Sequence, residues 1–268
     1  MTRVVASHPA SPRRGRPWAL GIHGPLEALL LTLTVVTGLV DAVSYLALGH
    51  VFVANMTGNV IFLGFALAGA PGLSAPAALA ALGAFLVGAA AGGRIGIWSG
   101  GHRGRHLQTA MTTAVVSVLL AVLLGAILGQ PVSPGGRYAL IVPLAFAMGI
   151  QNATARRFAV PDLTTTVLTL TLTGIAADSR LAGGTGGHPG RRLIAVTAMF
   201  AGALVGALLV TNVDLVLPLA IAAALIAASA LVAHRLSADG SDWAQSPGSA
   251  VGSPPQPVSA PARTPKVL

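Results

Sequence analysis

From Ala42 to Gly93 this chain carries no Lys, Arg, Asp or Glu, yet the stretch encloses Asn55-Met56-Thr57-Gly58-Asn59. Asp41 stands immediately before it, inside another apolar run. About 20 apolar residues suffice for a helix to cross a bilayer, and several runs here reach that length. Only 9% of the residues are charged, against roughly 25% in soluble domains. The runs are too long and too continuous for the alternating strands of a barrel. The chain therefore reads as all-α, a polytopic bundle of transmembrane helices. A carboxylate and carboxamides at membrane depth are costly, which makes an intramembrane polar site the default reading.

The net charge of +9 invites a nucleic-acid reading, but its distribution argues against one. Arg13, Arg14, Arg16, Arg94, Arg103, Arg105, Arg156, Arg157, Arg180, Arg191, Arg192 and Arg235 sit at the ends of apolar runs. Cytoplasmic loops of membrane proteins look like this. The expected partners are the lipid bilayer and its anionic headgroups on the cytoplasmic face, not nucleic acid. The chain has no Cys, which removes disulfides and thiolate chemistry. Its His residues lie mostly at segment ends, with no His-x-x-x-His pair expected inside a helix. There is no Ser/His/Asp grouping, no Gly-x-Ser-x-Gly and no phosphate loop. Neither a metal, a cofactor nor an enzymatic activity is expected.

Eight apolar segments can be drawn: Leu26–Leu48, Val51–Gly69, Ala77–Trp98, Leu107–Gly129, Tyr138–Ala155, Leu163–Ala177, Leu193–Thr211 and Leu215–His234. If all eight crossed from a cytoplasmic N-terminus, Arg103, Arg105 and the Arg156–Arg157 pair would fall outside. If 51–69 and 163–177 do not change sides, every arginine cluster falls inside and only Arg137 remains outside. The positive-inside rule selects six crossings plus two re-entrant or broken helices. Residues 1–25 form a basic cytoplasmic segment ahead of an uncleaved first helix. Residues 26–235 form the transmembrane domain. Residues 236–268, rich in Pro, Ser and Ala, are expected to be disordered.

The two odd segments resemble each other. Gly38-Leu39-Val40-Asp41-Ala42 is echoed by Gly149-Ile150-Gln151-Asn152-Ala153, and Gly88-x-x-x-Gly92 by Gly202-x-x-x-Gly206. This suggests a repeat of about 110 residues, spanning about 26–129 and 138–234. A unit of three crossings is odd, so two copies would be inverted, as in many secondary transporters. Each Gly-x-x-x-Gly face permits close helix packing, within one chain or in a homo-oligomer.

Thr34, Thr37, Gly38, Asp41, Ser44 and Tyr45 share an arc of roughly 100° on the first helix and should face the bundle interior. Two readings stand for Asp41: a proton or cation acceptor, or a hydrogen-bond acceptor that only fixes packing. Asn55, Thr57 and Asn59 lie where a helix starting mid-membrane would direct free N–H groups at a ligand. The plainer alternative is a kink whose side chains satisfy broken backbone bonds. Gln151 and Asn152 need polar partners in an apolar helix. Thr166, Thr169 and Thr173 share a helical face, and Asp162 reads best as an N-cap. The candidate substrate- or ion-binding set is thus Asp41, Ser44, Tyr45, Asn55, Thr57, Asn59, Gln151, Asn152, Thr166 and Thr169.

At these residues the chain resembles the YoaK-type family of bacterial membrane proteins. The resemblance rests on Thr37 to Tyr45, Val51 to Val60, Gly149 to Ala153 and Pro161 to Thr166, and covers roughly Leu26 to Arg235. It implies an integral protein of the bacterial inner membrane with about six helices. It supplies no function and no site residues, since the family is defined by a domain of unknown function. From polarity and depth, the leading expectation is a secondary transporter or permease-like carrier for a small solute or ion. The alternative is a non-transporting scaffold or a lipid- or partner-binding protein.

Overall fold

The computed structural model describes residues 26–100, 102–158, 168–179, 182–184 and 189–238. Among them the chain forms eight helices and no strand. These are α1 (Leu26–Ala47), α2 (Met56–Leu67), α3 (Ala75–Trp98), α4 (Arg103–Leu128), α5 (Pro134–Phe158), α6 (Leu168–Ala177), α7 (Pro189–Asn212) and α8 (Val216–Ala238). All but α2 and α6 are long and apolar enough to cross a membrane. Those two have 12 and 10 residues. At 1.5 Å per residue they reach only about 18 and 15 Å, short of a ~30 Å hydrocarbon core. The six long helices are those that the arginine distribution selects.

Helices α1 and α5 are the most enclosed. Val36, Thr37, Gly38, Leu39, Val40 and Asp41 are all buried, so α1 is enclosed on every side at this level and not only along its polar stripe. In α5 the run from Ala147 to Asn152 is likewise buried. The other helices turn large apolar side chains outward, among them Leu86, Trp98, Leu123, Phe200 and Leu208. Such a surface is suited to lipid.

Glycines decide which helices pair. A Cβ on Gly38 would fall 2.4 Å from Met199 O and 2.6 Å from Ala203 N, so α1 lies directly on the backbone of α7. A Cβ on Gly149 would fall 2.2 Å from Phe85 O and 2.7 Å from Ala89 N, so α5 lies on α3 in the same way. The reciprocal contacts match too. Gly202 meets Val35 and Gly206 meets Leu39 and Ala42, while Gly88 meets Phe146 and Gly92 meets Ile150 and Ala153. Val35, Gly38, Leu39 and Ala42 stand at one constant spacing from Phe146, Gly149, Ile150 and Ala153. The first helix of each half thus packs on the third helix of the other. Both Gly-x-x-x-Gly faces expected to serve in packing are used inside one chain.

The same exchange orders the rest. The short helix α2 packs on α3 and α6 on α7, while α4 packs on α5 and on α8. Two equivalent groups result: α2, α3 and α5 on one side, and α6, α7 and α1 on the other. Direct contact between α1 and α5 is sparse.

Between α1 and α2 the chain is irregular from Leu48 to Asn55. Gly49 and His50 both adopt positive φ, 97° and 57°, which ends α1 in the manner of a left-handed C-cap. The following segment is largely buried, so its backbone groups need partners. They find them on two side chains. Asp41 Oδ1 accepts the N–H of Val53 (3.0 Å) and of Ala54 (2.8 Å). Asn59 accepts the N–H of Phe52 on Oδ1 (2.9 Å) and donates from Nδ2 to the Phe52 carbonyl (2.6 Å). The helix expected near Asn55 accordingly begins at Met56.

Candidate functional site

A cavity of about 380 Å³ opens between the two helix groups. From one group come Thr37 and Asp41 on α1, Leu168 and Thr169 on α6, and Met199 on α7. From the other come Phe85 on α3 and Asn152 on α5, joined by Asn55, Thr57 and Gly58 at the start of α2. Asp41 and Asn152 occupy equivalent places in the two halves, as do Phe85 and Met199. The N-terminal end of α2 meets the cavity, so free N–H groups and the positive end of its helix dipole are directed toward it.

Asp41 is 6% exposed. Its Oδ1 holds the two amides described above, while Oδ2 is buried without a hydrogen-bond partner among the described residues. A carboxylate oxygen with free lone pairs, at a cavity whose other polar walls are neutral, can accept a proton or a cationic group. Asn152 donates from Nδ2 to Met148 O (2.9 Å). Asn55 precedes the first residue of α2, but its side chain makes no capping bond. Thr57 and Thr169 are both exposed to the cavity side of their helices. Thr37 Oγ1 donates a hydrogen bond to Leu33 O (2.9 Å).

The structure brings Asp41, Asn55, Thr57, Asn152 and Thr169 to one cavity. It places four other candidates elsewhere. Asn59 is fully buried and both ends of its amide engage Phe52. Ser44 donates to Asp41 O within α1 (3.2 Å). Tyr45 belongs to an aromatic cluster, stacked on Phe52 at 5.2 Å and edge-on to His50 at 5.1 Å. Gln151 donates from Nε2 to Leu33 O (3.0 Å) and Thr37 Oγ1 (2.9 Å), which ties α5 to α1 across the two groups, and its Oε1 is buried without a partner among the described residues. Thr166, with Asp162, Thr164 and Thr165, lies outside the described residues. Within α6 the buried threonine is Thr171.

Sequence reasoning missed two features. Phe85 and Met199 line the cavity, and nothing distinguishes them from other apolar residues of their helices. His102 and His106 are four residues apart at the cap and first turn of α4. Only His106 is inside the helix, which starts at Arg103 and not at Leu107.

A family profile described as "Protein of unknown function (DUF1275)" matches residues 29–232. The "UPF0700 transmembrane protein YoaK" of Bacillus subtilis (strain 168) is 31% identical over 158 residues, which cover 57% of this chain and 66% of that relative. The match thus spans just under two thirds of the relative's length. No solved structure matches the chain. The family match takes in the helical region from α1 into α8, and with it the cavity and both short helices: the chain belongs to the DUF1275 family of proteins of unknown function.

Proposed function

We propose that the protein is a secondary carrier for a small solute or ion in a bacterial inner membrane, with both termini cytoplasmic and its two halves inverted. Asp41 takes up the proton or cation, and Asn55, Thr57, Asn152 and Thr169 contact the solute. The observation that carries this reading is Asp41 at a cavity between two equivalent helix groups, with its Oδ2 buried and without a hydrogen-bond partner among the described residues. The volume lies within the range of small-molecule pockets. Broken helices meeting at a site between repeats are the usual plan of such carriers.

Rocking one group against the other would open the cavity to alternate sides. Gln151 bridges the groups through Leu33 and Thr37. Asp41 ties α1, in one group, to the segment leading into α2, in the other. Protonation of Asp41 weakens its charge-assisted bonds, and that links proton uptake to loosening of the contact. No residue in the cavity is assigned a catalytic role.

A scaffold reading has one observation in its favour: Asp41 Oδ1 already serves the backbone of Val53 and Ala54. Proteoliposomes with an internal pH dye separate the two. A carrier moves protons when a panel solute is added, and Asp41→Asn is silent although inserted and folded. A scaffold gives no solute-dependent signal with either protein.

A further inference from the structure

A second cavity, of about 230 Å³, lies where α3 ends, α4 begins and α5 ends. His102, Arg103, His106 and Arg157 line it, with Ser99 and Phe158. No acidic side chain is among its walls. The described carboxylates are all engaged or placed elsewhere. Glu27 pairs with Arg191 and Asp178 with Arg192, Asp41 holds the Val53 and Ala54 amides, and Asp214 Oδ1 accepts the N–H of Leu217. Arg103 and Arg157 therefore have no ion-pair partner among the described residues. Arg103 and Arg157 both line the cavity, and guanidinium groups are suited to holding an anion.

The walls are built to hold them there. Gly96 also lines the cavity, and a Cβ on it would fall 2.7 Å from Arg157 Cδ, 2.8 Å from Arg157 Nε and 2.9 Å from His106 Cε1. A side chain at this position would press on both Arg157 and His106. His106 is 2% exposed, fixed by Thr154 Oγ1 at 3.3 Å and by the Phe158 ring at 5.2 Å. His102 Nδ1 accepts the N–H of Arg105 (3.2 Å), so the ring proton stands on Nε2 as a donor. The first turn of α4, a helix of 26 residues, adds free N–H groups and its positive dipole end. The spacing of His102 and His106 resembles a metal pair, but Arg103 and Arg157 on the same walls disfavour a cation.

We propose that this cavity binds a phosphate group, presented by an anionic lipid headgroup or as the free ion. Planar guanidinium forks match phosphate oxygens bidentately. The arginines mark this end of the bundle as the cytoplasmic one, where such groups are at hand. The site is independent of the Asp41 cavity and of the carrier reading.

The test uses the full chain, delipidated in neutral detergent. Its melting temperature is followed in sodium phosphate against sodium chloride of equal ionic strength, and with short-chain phosphatidic acid against phosphatidylcholine. The prediction is that phosphate, or phosphatidic acid alone, stabilises the wild type. A response to inorganic phosphate identifies the free ion as sufficient; a response to phosphatidic acid alone identifies the lipid. R103Q, R157Q and the double variant should melt like wild type without ligand, since neither side chain has an ion-pair partner among the described residues. The double variant should raise Kd about tenfold or more. The proposal is overturned if neither ligand outperforms its control on wild type, or if all three variants respond as wild type does.

Discussion

Asp41 Oδ1 accepts the backbone N–H of Ala54 at 2.8 Å, thirteen residues further along the chain. This bond joins a membrane-spanning helix to the irregular segment that leads into a short one. One side chain thus has two tasks. Oδ1 keeps buried backbone satisfied, and Oδ2 is buried without a hydrogen-bond partner among the described residues.

Asp41→Asn and Asp41→Ala should separate those tasks. The carboxamide retains an oxygen for the Val53 and Ala54 amides, so Asn should cost about 1–3 kcal/mol and leave a folded protein without proton-coupled activity. Alanine leaves both N–H groups without an acceptor and should melt well below the Asn variant. Parallel melts in detergent give the order, and the dye assay gives the activity.

Asn55 and Asn59 make a matched contrast. Asn59→Ala frees the Phe52 backbone and should lower stability by about 1–3 kcal/mol. Asn55 makes no capping bond, so Asn55→Ala should leave the melting temperature unchanged while weakening any solute that binds the cavity. Reversed behaviour of the two variants would exchange their assigned roles.

The glycine contacts predict a sharp positional effect. Gly38→Ala and Gly149→Ala place a methyl group onto facing backbone and should each cost about 1–3 kcal/mol by overpacking. Gly64→Ala meets nothing within 4 Å and should be neutral or stabilise α2 by up to about 1 kcal/mol. Equal losses at all three positions would contradict the exchanged pairing of the two halves.

Gln151 carries both a satisfied and an unsatisfied end. Gln151→Leu removes two hydrogen bonds together with the orphaned Oε1, so the net change should stay within about 1 kcal/mol. Gln151→Glu puts a second carboxylate into a fully enclosed place and should be far more damaging. Thermal melts of the two variants decide this directly.

Much of this was legible in the sequence because charge and length are strong signals in lipid. The arginines separate crossing helices from short ones, and the polar stripe on α1 points inward as its spacing predicts. The repeat showed in Gly38 and Gly149, but their partners Met199 and Phe85 did not, because helix pairing across halves leaves no local trace. Asn55 and Asn59 look alike as residues. Only the three-dimensional path of Phe52 shows which amide is occupied by backbone. The basic cavity is non-local in the same way: Gly96, His106 and Arg157 come from three helices, and nothing in their local sequences shows that they meet.

The most direct measurement is a thermal-stability screen of wild type and Asp41→Asn side by side against a panel of metabolites and ions at several pH values. A ligand that binds only the folded state must raise its apparent stability. The carrier account predicts at least one solute that stabilises wild type and not Asp41→Asn. If no solute shifts wild type, or if every active solute shifts both proteins equally, the Asp41 cavity is not the binding site and the account fails.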